Sequence, residues 1–163
     1  MSGAVDDVTI ARALHVLAIV LWIGGVAFVT MVLLPTIRDF TAAEERAAFF
    51  EIVERRFGRQ ARLTTALAGL TGLYMLVRLD LWDRFLSVNY WWMHAMVGVW
   101  LVFTAMLFVA EPLFLHRRLL GRAKAEPEST FRLVARLHRI LLALSLITLL
   151  GAVLGSHGLL IVE

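Results

Sequence analysis

Three histidines of this chain lie inside long apolar stretches, where a polar side chain is by default a candidate functional group. They are His15, His94 and His157, whereas His116 and His138 lie beside arginines at predicted helix ends. The chain contains no cysteine, which excludes disulfides, thiolate metal sites and iron–sulfur clusters. A bound metal or haem would therefore be held by imidazole, thioether or carboxylate groups.

Haem binding is the first chemistry that these histidines could perform. The neutral imidazoles of His15 and His94 would ligate the iron of a b-type haem from its two sides. Arg12 and Arg78 would neutralise the haem propionates, and the helix glycines would leave room for the macrocycle. The alternatives are that the histidines only form interhelical hydrogen bonds and that the glycines only allow close helix packing.

Copper binding is the second chemistry. Here His15, His94 and His157 bind the ion with Met93 or Met96 as a thioether ligand, since imidazole suits copper in either oxidation state and thioether favours the reduced ion. His157, in the sequence Gly-Ser-His-Gly, could instead simply end the fourth helix. The residues alone leave haem and copper both open.

The stretches that carry these histidines have the composition of membrane helices. The chain is 60% hydrophobic and 18% charged, with a mean hydropathy of +0.80, against about 45–50% and about 25% in soluble domains. A membrane-spanning helix needs about 20 predominantly apolar residues. The pattern excludes a soluble enzyme, a disordered chain and a nucleic-acid-binding domain. It predicts one all-α transmembrane domain over residues 1–163, with helices at about 8–34, 60–79, 90–115 and 137–162.

Residues 41–58, between the first two helices, have an amphipathic pattern in which phenylalanines alternate with charged side chains. We expect this segment to lie on the cytoplasmic membrane surface or to extend helix two. Residues 121–130, which include Pro127, are predicted to form a flexible loop. Pro112 is expected to kink helix three, and Glu111 is expected either to pair with Arg117 or Arg118 or to handle protons.

Basic residues predict which side of the membrane each loop faces. All but three of the 16 Lys and Arg residues lie between helices one and two or between helices three and four, the exceptions being Arg12, Arg78 and Arg84. The positive-inside rule places these two connections in the cytoplasm. We therefore expect an up-down-up-down four-helix bundle in a bacterial inner membrane, with both termini on the outer, periplasmic side. The acidic N-terminus is unlike a signal peptide, so helix one should be retained.

Four stretches resemble sequences of known bacterial membrane families. Ala13-Leu-His-Val-Leu-Ala-Ile-Val-Leu-Trp-Ile-Gly-Gly25, with Phe57-Gly-Arg-Gln-Ala-Arg-Leu63 and Leu70-Thr-Gly-Leu73, resembles the copper-resistance D (CopD-type) membrane domain. Trp92-Met-His-Ala-Met96 is similar to a Trp-Leu-His-Ala-Lys stretch of HemJ-type protoporphyrinogen oxidases, with Met96 in place of the usual lysine. The resemblance covers helices one to three well and helix four loosely. It implies a four-helix module for copper handling or haem chemistry.

The sequence therefore predicts an electron-transfer protein of the inner membrane that binds b-type haem near its outer face. CopD-like copper handling by the same histidines is the first alternative, and HemJ-like porphyrinogen oxidation is the second. The sequence does not decide whether the protein is catalytic, monomeric or oligomeric. Its partners would be the lipid bilayer and either a quinone or a periplasmic redox partner, and no nucleic acid.

Overall fold

The computed structural model describes residues 6–115 and 125–158, which are helical apart from short turns and contain no strand. Helix one comprises Asp7–Phe28, a π-helical segment Val29–Leu33 and Leu34–Phe40, and helix two is Ala43–Arg78. Two 3₁₀ turns follow, Trp82–Leu86 and Val88–Tyr90. Helix three comprises Trp91–Thr104 and a π-helical segment Ala105–Leu115, and helix four is Pro127–Ser156. The all-α prediction is confirmed over these residues.

Helix one continues to Phe40, past its predicted end at residue 34, and Pro35 does not terminate it. Proline lacks the N–H that an α-helix requires and crowds the preceding turn. The π-helical segment Val29–Leu33 widens the helix immediately before Pro35, and the Leu34 N–H bonds to the Val29 carbonyl five residues earlier. A π-bulge of this kind accommodates a local misfit inside a continuing helix.

Helix two begins at Ala43 rather than at the predicted residue 60. The amphipathic segment therefore extends helix two, the second of the two predicted arrangements. Its buried Phe50 packs in a cluster with Ile37 at the end of helix one and Phe131 in helix four. This tertiary contact gives the apolar side of the segment a protein partner, so it need not lie alone on the membrane.

Helix four begins at Pro127, within the stretch predicted to be a loop and ahead of the predicted start at residue 137. Proline is favoured in the first turn of a helix because its missing N–H has no intrahelical partner there. Pro127 occupies such a position. The rest of the predicted loop before residue 125 lies outside the described residues.

Neighbouring helices are antiparallel. Phe57 packs on Gly25 and His15 on Gly72, so helix two runs back along helix one. Trp100 donates a hydrogen bond to the Thr65 carbonyl and Arg62 donates one to the Leu107 carbonyl, so helix three runs back along helix two. Helices one and three consequently run in the same direction.

Three of these helices are long and apolar enough to cross a membrane: Asp7–Phe40, Val88–Glu111 and Pro127–Ser156. Many of their large apolar side chains are exposed on the outside of the protein, including Met31, Val20 and Leu150. A helix with apolar residues on its outer surface is stable in lipid but not in water. The prediction of membrane helices is therefore supported for these three.

Candidate metal-binding site

His15 lies on the face of helix one that packs against helix two. Its Nδ1 is 2.9 Å from the Ala68 carbonyl oxygen and 3.0 Å from Thr71 Oγ1. The ring packs closely on Gly72, since a Cβ there would come within 3.2 Å of His15 Cε1. The local sequence Ala68-Gly-Leu-Thr-Gly72 thus supplies both the hydrogen-bond acceptors and the space.

These contacts determine the tautomer of His15. The Ala68 carbonyl can only accept a hydrogen bond, and the Thr71 hydroxyl is 2.6 Å from the Leu67 carbonyl, to which it donates. Both groups therefore accept from Nδ1–H, which leaves Nε2 of the neutral ring without a proton. Histidines that ligate metals are commonly oriented in this way by a backbone carbonyl at the other ring nitrogen.

Register between helices one and three identifies the side chain at the same level as His15. Trp22 and Phe103 make an edge-to-face contact with ring centroids 4.9 Å apart. His15 lies seven residues before Trp22, and Met96 lies seven residues before Phe103. Seven residues are nearly two full turns, about 10 Å along each helix. Because the two helices run in the same direction, His15 and Met96 occupy matching positions two turns from this contact.

Met96 also lies on the same side of helix three as Trp100, which follows it by about one turn. The indole of Trp100 donates to the Thr65 carbonyl and packs on Gly69 of helix two. Met96 is half-buried. The face of helix three that bears Met96 is therefore directed at helix two near the turn that holds His15.

His94 lies on the opposite side of helix three. It precedes Phe103 by nine residues, which is two and a half turns of an α-helix, and this part of helix three is regular. Its ring is exposed and packs edge-to-face on Phe85, with centroids 5.1 Å apart. Residue spacing from the Trp22–Phe103 contact therefore places Met96, rather than His94, on the inner side of helix three.

His157 is the residue that ends helix four. It occupies the C-cap position, and its Nδ1 is 2.8 Å from the Val153 carbonyl of the preceding turn. The exposed ring therefore satisfies a helix-terminal carbonyl. Among the described residues, no group of three or more histidine or acidic side chains is placed to hold a metal ion, so His15, His94 and His157 are not brought together.

Three of the helix glycines predicted to make room for a macrocycle are filled by tryptophan rings, whereas Gly24 and Gly98 have no atom within 4 Å of an added Cβ and stay open. A Cβ on Gly69 would lie 2.5 Å from the Trp100 ring, and Cβ atoms on Gly151 and Gly155 would lie 2.5 and 2.3 Å from Trp91 and Trp92. These glycines serve close packing, the alternative given above. His94 also lies on the far face of helix three, so it does not face His15 across the bundle.

The two arginines predicted to neutralise propionates have different surroundings. Arg78 forms an ion pair with Asp7, 2.9 Å from its Oδ2, and Tyr74 donates to the same oxygen at 2.7 Å. This cluster ties the end of helix two to the start of helix one. Arg12 is exposed on helix one, and no ion pair among the described residues includes it.

Glu111 has a partner that the sequence did not predict. Arg62 of helix two donates one hydrogen bond to Glu111 at 2.8 Å and a second to the Leu107 carbonyl at 3.0 Å. Arg117 and Arg118, the expected partners, lie outside the described side chains, as does His116. The sequence contained one indication of this pair, because Arg62 is the charged residue that bounds the apolar part of helix two.

His138, the other histidine near a predicted helix end, bonds to the Val134 carbonyl at 3.0 Å within its own helix.

Comparison with known proteins identifies a family but no function. The profile of a family described as a domain of unknown function, DUF4149, matches residues 17–123, about two thirds of the chain. The chain therefore belongs to this family. No curated protein and no solved structure is significantly similar to it, and nothing in these comparisons links it to CopD-type or HemJ-type proteins.

Proposed function

We propose that this member of the DUF4149 family is an integral membrane protein that binds copper in the outer half of its helical bundle, with His15 and Met96 as ligands. The observation that carries the proposal is the Ala68 carbonyl at Nδ1 of His15. It leaves Nε2 as a lone-pair donor inside an otherwise apolar helix packing. Copper handling was the first alternative predicted from the sequence, with three histidine ligands. The present proposal keeps only one of those histidines, His15, as a ligand.

The donor set favours the reduced ion. Cu(I) accepts few ligands and prefers soft ones, and a thioether with a neutral imidazole adds no charge to the site. Met96 can adapt its position because its side chain has three rotatable bonds. His15, by contrast, is oriented by its contacts with helix two.

In this proposal helix two is the fourth membrane span, and both termini lie on the outer side of a bacterial inner membrane. The apolar part of helix two lies between Arg62 and Arg78. Long basic side chains at the ends of a span can reach the interface. The basic connections after helices one and three would then face the cytoplasm, and His15 would lie about 12 Å from the outer end of helix one.

Electron transfer through b-type haem and HemJ-like porphyrinogen oxidation are the competing functions. Both need space for a tetrapyrrole beside His15. Aromatic rings fill the space at Gly69, Gly151 and Gly155, three of the glycines predicted to provide it. The copper proposal needs no such space, and a haem spectrum from the purified protein would favour the haem function instead.

The experiment is a copper(I) titration of the purified protein against a chromophoric Cu(I) chelator under reducing conditions. We expect one equivalent to be retained by the wild type, and affinity to fall at least tenfold in His15→Leu and in Met96→Leu. His157→Leu is the matched control because it removes an exposed histidine from the same end of the bundle. X-ray absorption of the loaded protein should show both nitrogen and sulfur ligands.

Two results would overturn the copper proposal. One is a wild-type protein that does not compete with the chelator, or variants that bind as the wild type does. The other is a Soret band with split bands on reduction in protein prepared with haem available, which would favour the haem function instead.

A further inference from the structure

A wide-open surface cavity lies beside His94 on the side of helix three that faces away from the copper ligands. It is formed where the two 3₁₀ turns precede helix three, and its volume is about 330 Å³. Its walls are Phe85, Leu86, Ser87, Val88, Trp91 and His94. This volume lies near the lower end of the range for small-molecule sites, about 300–1,000 Å³, so the cavity can hold one substituted ring.

His94 supplies the polar group of this cavity. Its ring packs edge-to-face on Phe85, and its nitrogens have no hydrogen-bond partner among the described residues. An imidazole always carries at least one N–H, so His94 can donate a hydrogen bond into the cavity. Trp91, about one turn before His94 on helix three, is anchored because its ring fills the space at Gly151 of helix four.

The rim of the cavity is apolar and exposed. Leu86 is 87% exposed at the end of the first 3₁₀ turn. Val88 is 74% exposed at the first residue of the stretch Val88–Glu111, which is apolar enough to cross a membrane. Exposed leucine and valine at this level are expected to contact lipid. A ligand would therefore enter from the bilayer, and it would be an amphiphile rather than a solute from water.

We propose that this cavity binds the ring of a lipid-soluble quinone, with His94 donating a hydrogen bond to one ring carbonyl. A quinone ring is flat, apolar on both faces and accepts hydrogen bonds only at its edge. Phe85 and Trp91 offer aromatic surfaces for the faces, and His94 offers the donor for the edge. The isoprenoid tail would leave past Leu86 and Val88 into lipid.

This site shares no residue with the proposed copper site, so each proposal can fail alone. The protein is reconstituted into lipid nanodiscs and titrated with a short-chain ubiquinone analogue, with tryptophan quenching as the first readout. Nitrogen-15 NMR of labelled histidine is the second readout, because a new hydrogen bond shifts the His94 resonances and leaves those of His157 unchanged.

Two substitutions of His94 test the hydrogen bond. His94→Phe keeps a ring against Phe85 but removes the donor, and we expect its dissociation constant to rise at least tenfold. His94→Gln keeps a donor and should recover part of the affinity. His157→Phe is the control that should bind the analogue as the wild type does, and unfolding midpoints verify that each variant is folded.

The proposal is supported by saturable quenching that His94→Phe weakens and His94→Gln partly restores. It is overturned if His94→Phe binds with the wild-type constant. It is also overturned if quenching rises linearly with analogue in every variant, since that is simple partition into lipid.

Discussion

Thr64 and Thr65 are adjacent on helix two, and both are buried, but their hydroxyls have different surroundings. The Thr64 hydroxyl donates to the Gln60 carbonyl at 2.9 Å. The Thr65 side chain is fully buried, and its hydroxyl has no hydrogen-bond partner in the described part of the chain. An unsatisfied buried hydroxyl costs about 1–3 kcal/mol.

We therefore expect Thr65→Val to raise the unfolding midpoint, because valine has nearly the same shape and no hydroxyl. Thr64→Val is the matched control and should lower the midpoint or leave it unchanged, since it loses a hydrogen bond. Thermal unfolding in one detergent measures both. A Thr65→Val protein that is less stable than the wild type would mean that its hydroxyl is satisfied, for example by internal water.

Gly72 controls the position of His15. Alanine at 72 would place a Cβ 3.2 Å from His15 Cε1, so the ring must shift away from helix two and weaken its bond to the Ala68 carbonyl. We expect Gly72→Ala to lower copper(I) affinity about fivefold to tenfold while the helix itself gains about 0.5–1 kcal/mol of intrinsic propensity. Gly98→Ala is the control, because a Cβ there meets no atom within 4 Å. Equal copper affinity in the two variants would contradict the orienting role of helix two.

The depth of a residue along a helix could be predicted from the sequence, but its direction around the helix could not. His15 and His94 were placed at equal depth by counting residues from the predicted helix ends. Their faces depend on which side chains pack between helices, and the contact of Trp22 with Phe103 is a tertiary fact. Once that contact is known, the spacing from Phe103 gives the direction of each side chain. Met96 precedes Phe103 by seven residues and shares its inner face of helix three. His94 precedes it by nine residues and lies on the outer face.

Helix three contains a long π-helical segment, and Arg62 compensates for part of its irregularity. In a π-helix the Leu107 carbonyl would accept from residue 112, but residue 112 is proline and has no N–H. Arg62 Nε donates to this carbonyl instead, while its guanidinium also bonds to Glu111. One side chain of helix two therefore pairs a carboxylate and a backbone carbonyl of helix three.

Substitution of Arg62 should consequently lower the free energy of unfolding more than removal of the charge on Glu111. Arg62→Met leaves Glu111 and the Leu107 carbonyl without this partner, and we expect a loss of about 1–3 kcal/mol in the free energy of unfolding. Glu111→Gln keeps a carbonyl oxygen that can still accept from Arg62, so its loss should be smaller. Unfolding of both variants in the same detergent tests the order, and a larger loss in Glu111→Gln would contradict it.

Prolines were the hardest elements to interpret from sequence alone. Pro35 was expected near the exit of helix one and Pro127 inside a loop, because proline is unfavourable inside a helix. The structure places one after a π-helical segment and the other in the first turn of a helix. At both positions the missing N–H of proline destabilises the helix little. Helix propensity alone cannot distinguish such a position from the end of a helix.

At the scale of the whole molecule, basic side chains near the helix ends connect neighbouring helices. Near the ends that carry the termini, Arg78 and Tyr74 of helix two hold Asp7 of helix one. Near the other end, Arg46 donates to the Arg38 and Thr41 carbonyls and forms an ion pair with Glu128 of helix four. The composition of the chain predicted membrane helices, but it could not predict these pairings, which depend on how the helices pack.

The number of spans determines where the two termini lie, so topology tests the fourth span directly. With four spans both termini are on one side of the membrane, and with the three most apolar helices alone they are on opposite sides. The positive-inside rule favours four spans, because the basic connections after helices one and three then both lie in the cytoplasm.

We expect a C-terminal fusion to a reporter active only in the cytoplasm to be silent, and the same reporter inserted after Gly121 to be active. A reporter that folds only outside the cytoplasm should give the reverse result at both positions. If the N-terminal and C-terminal fusions report opposite compartments, helix two does not cross the membrane, and the outer location of the His15 site is wrong with it.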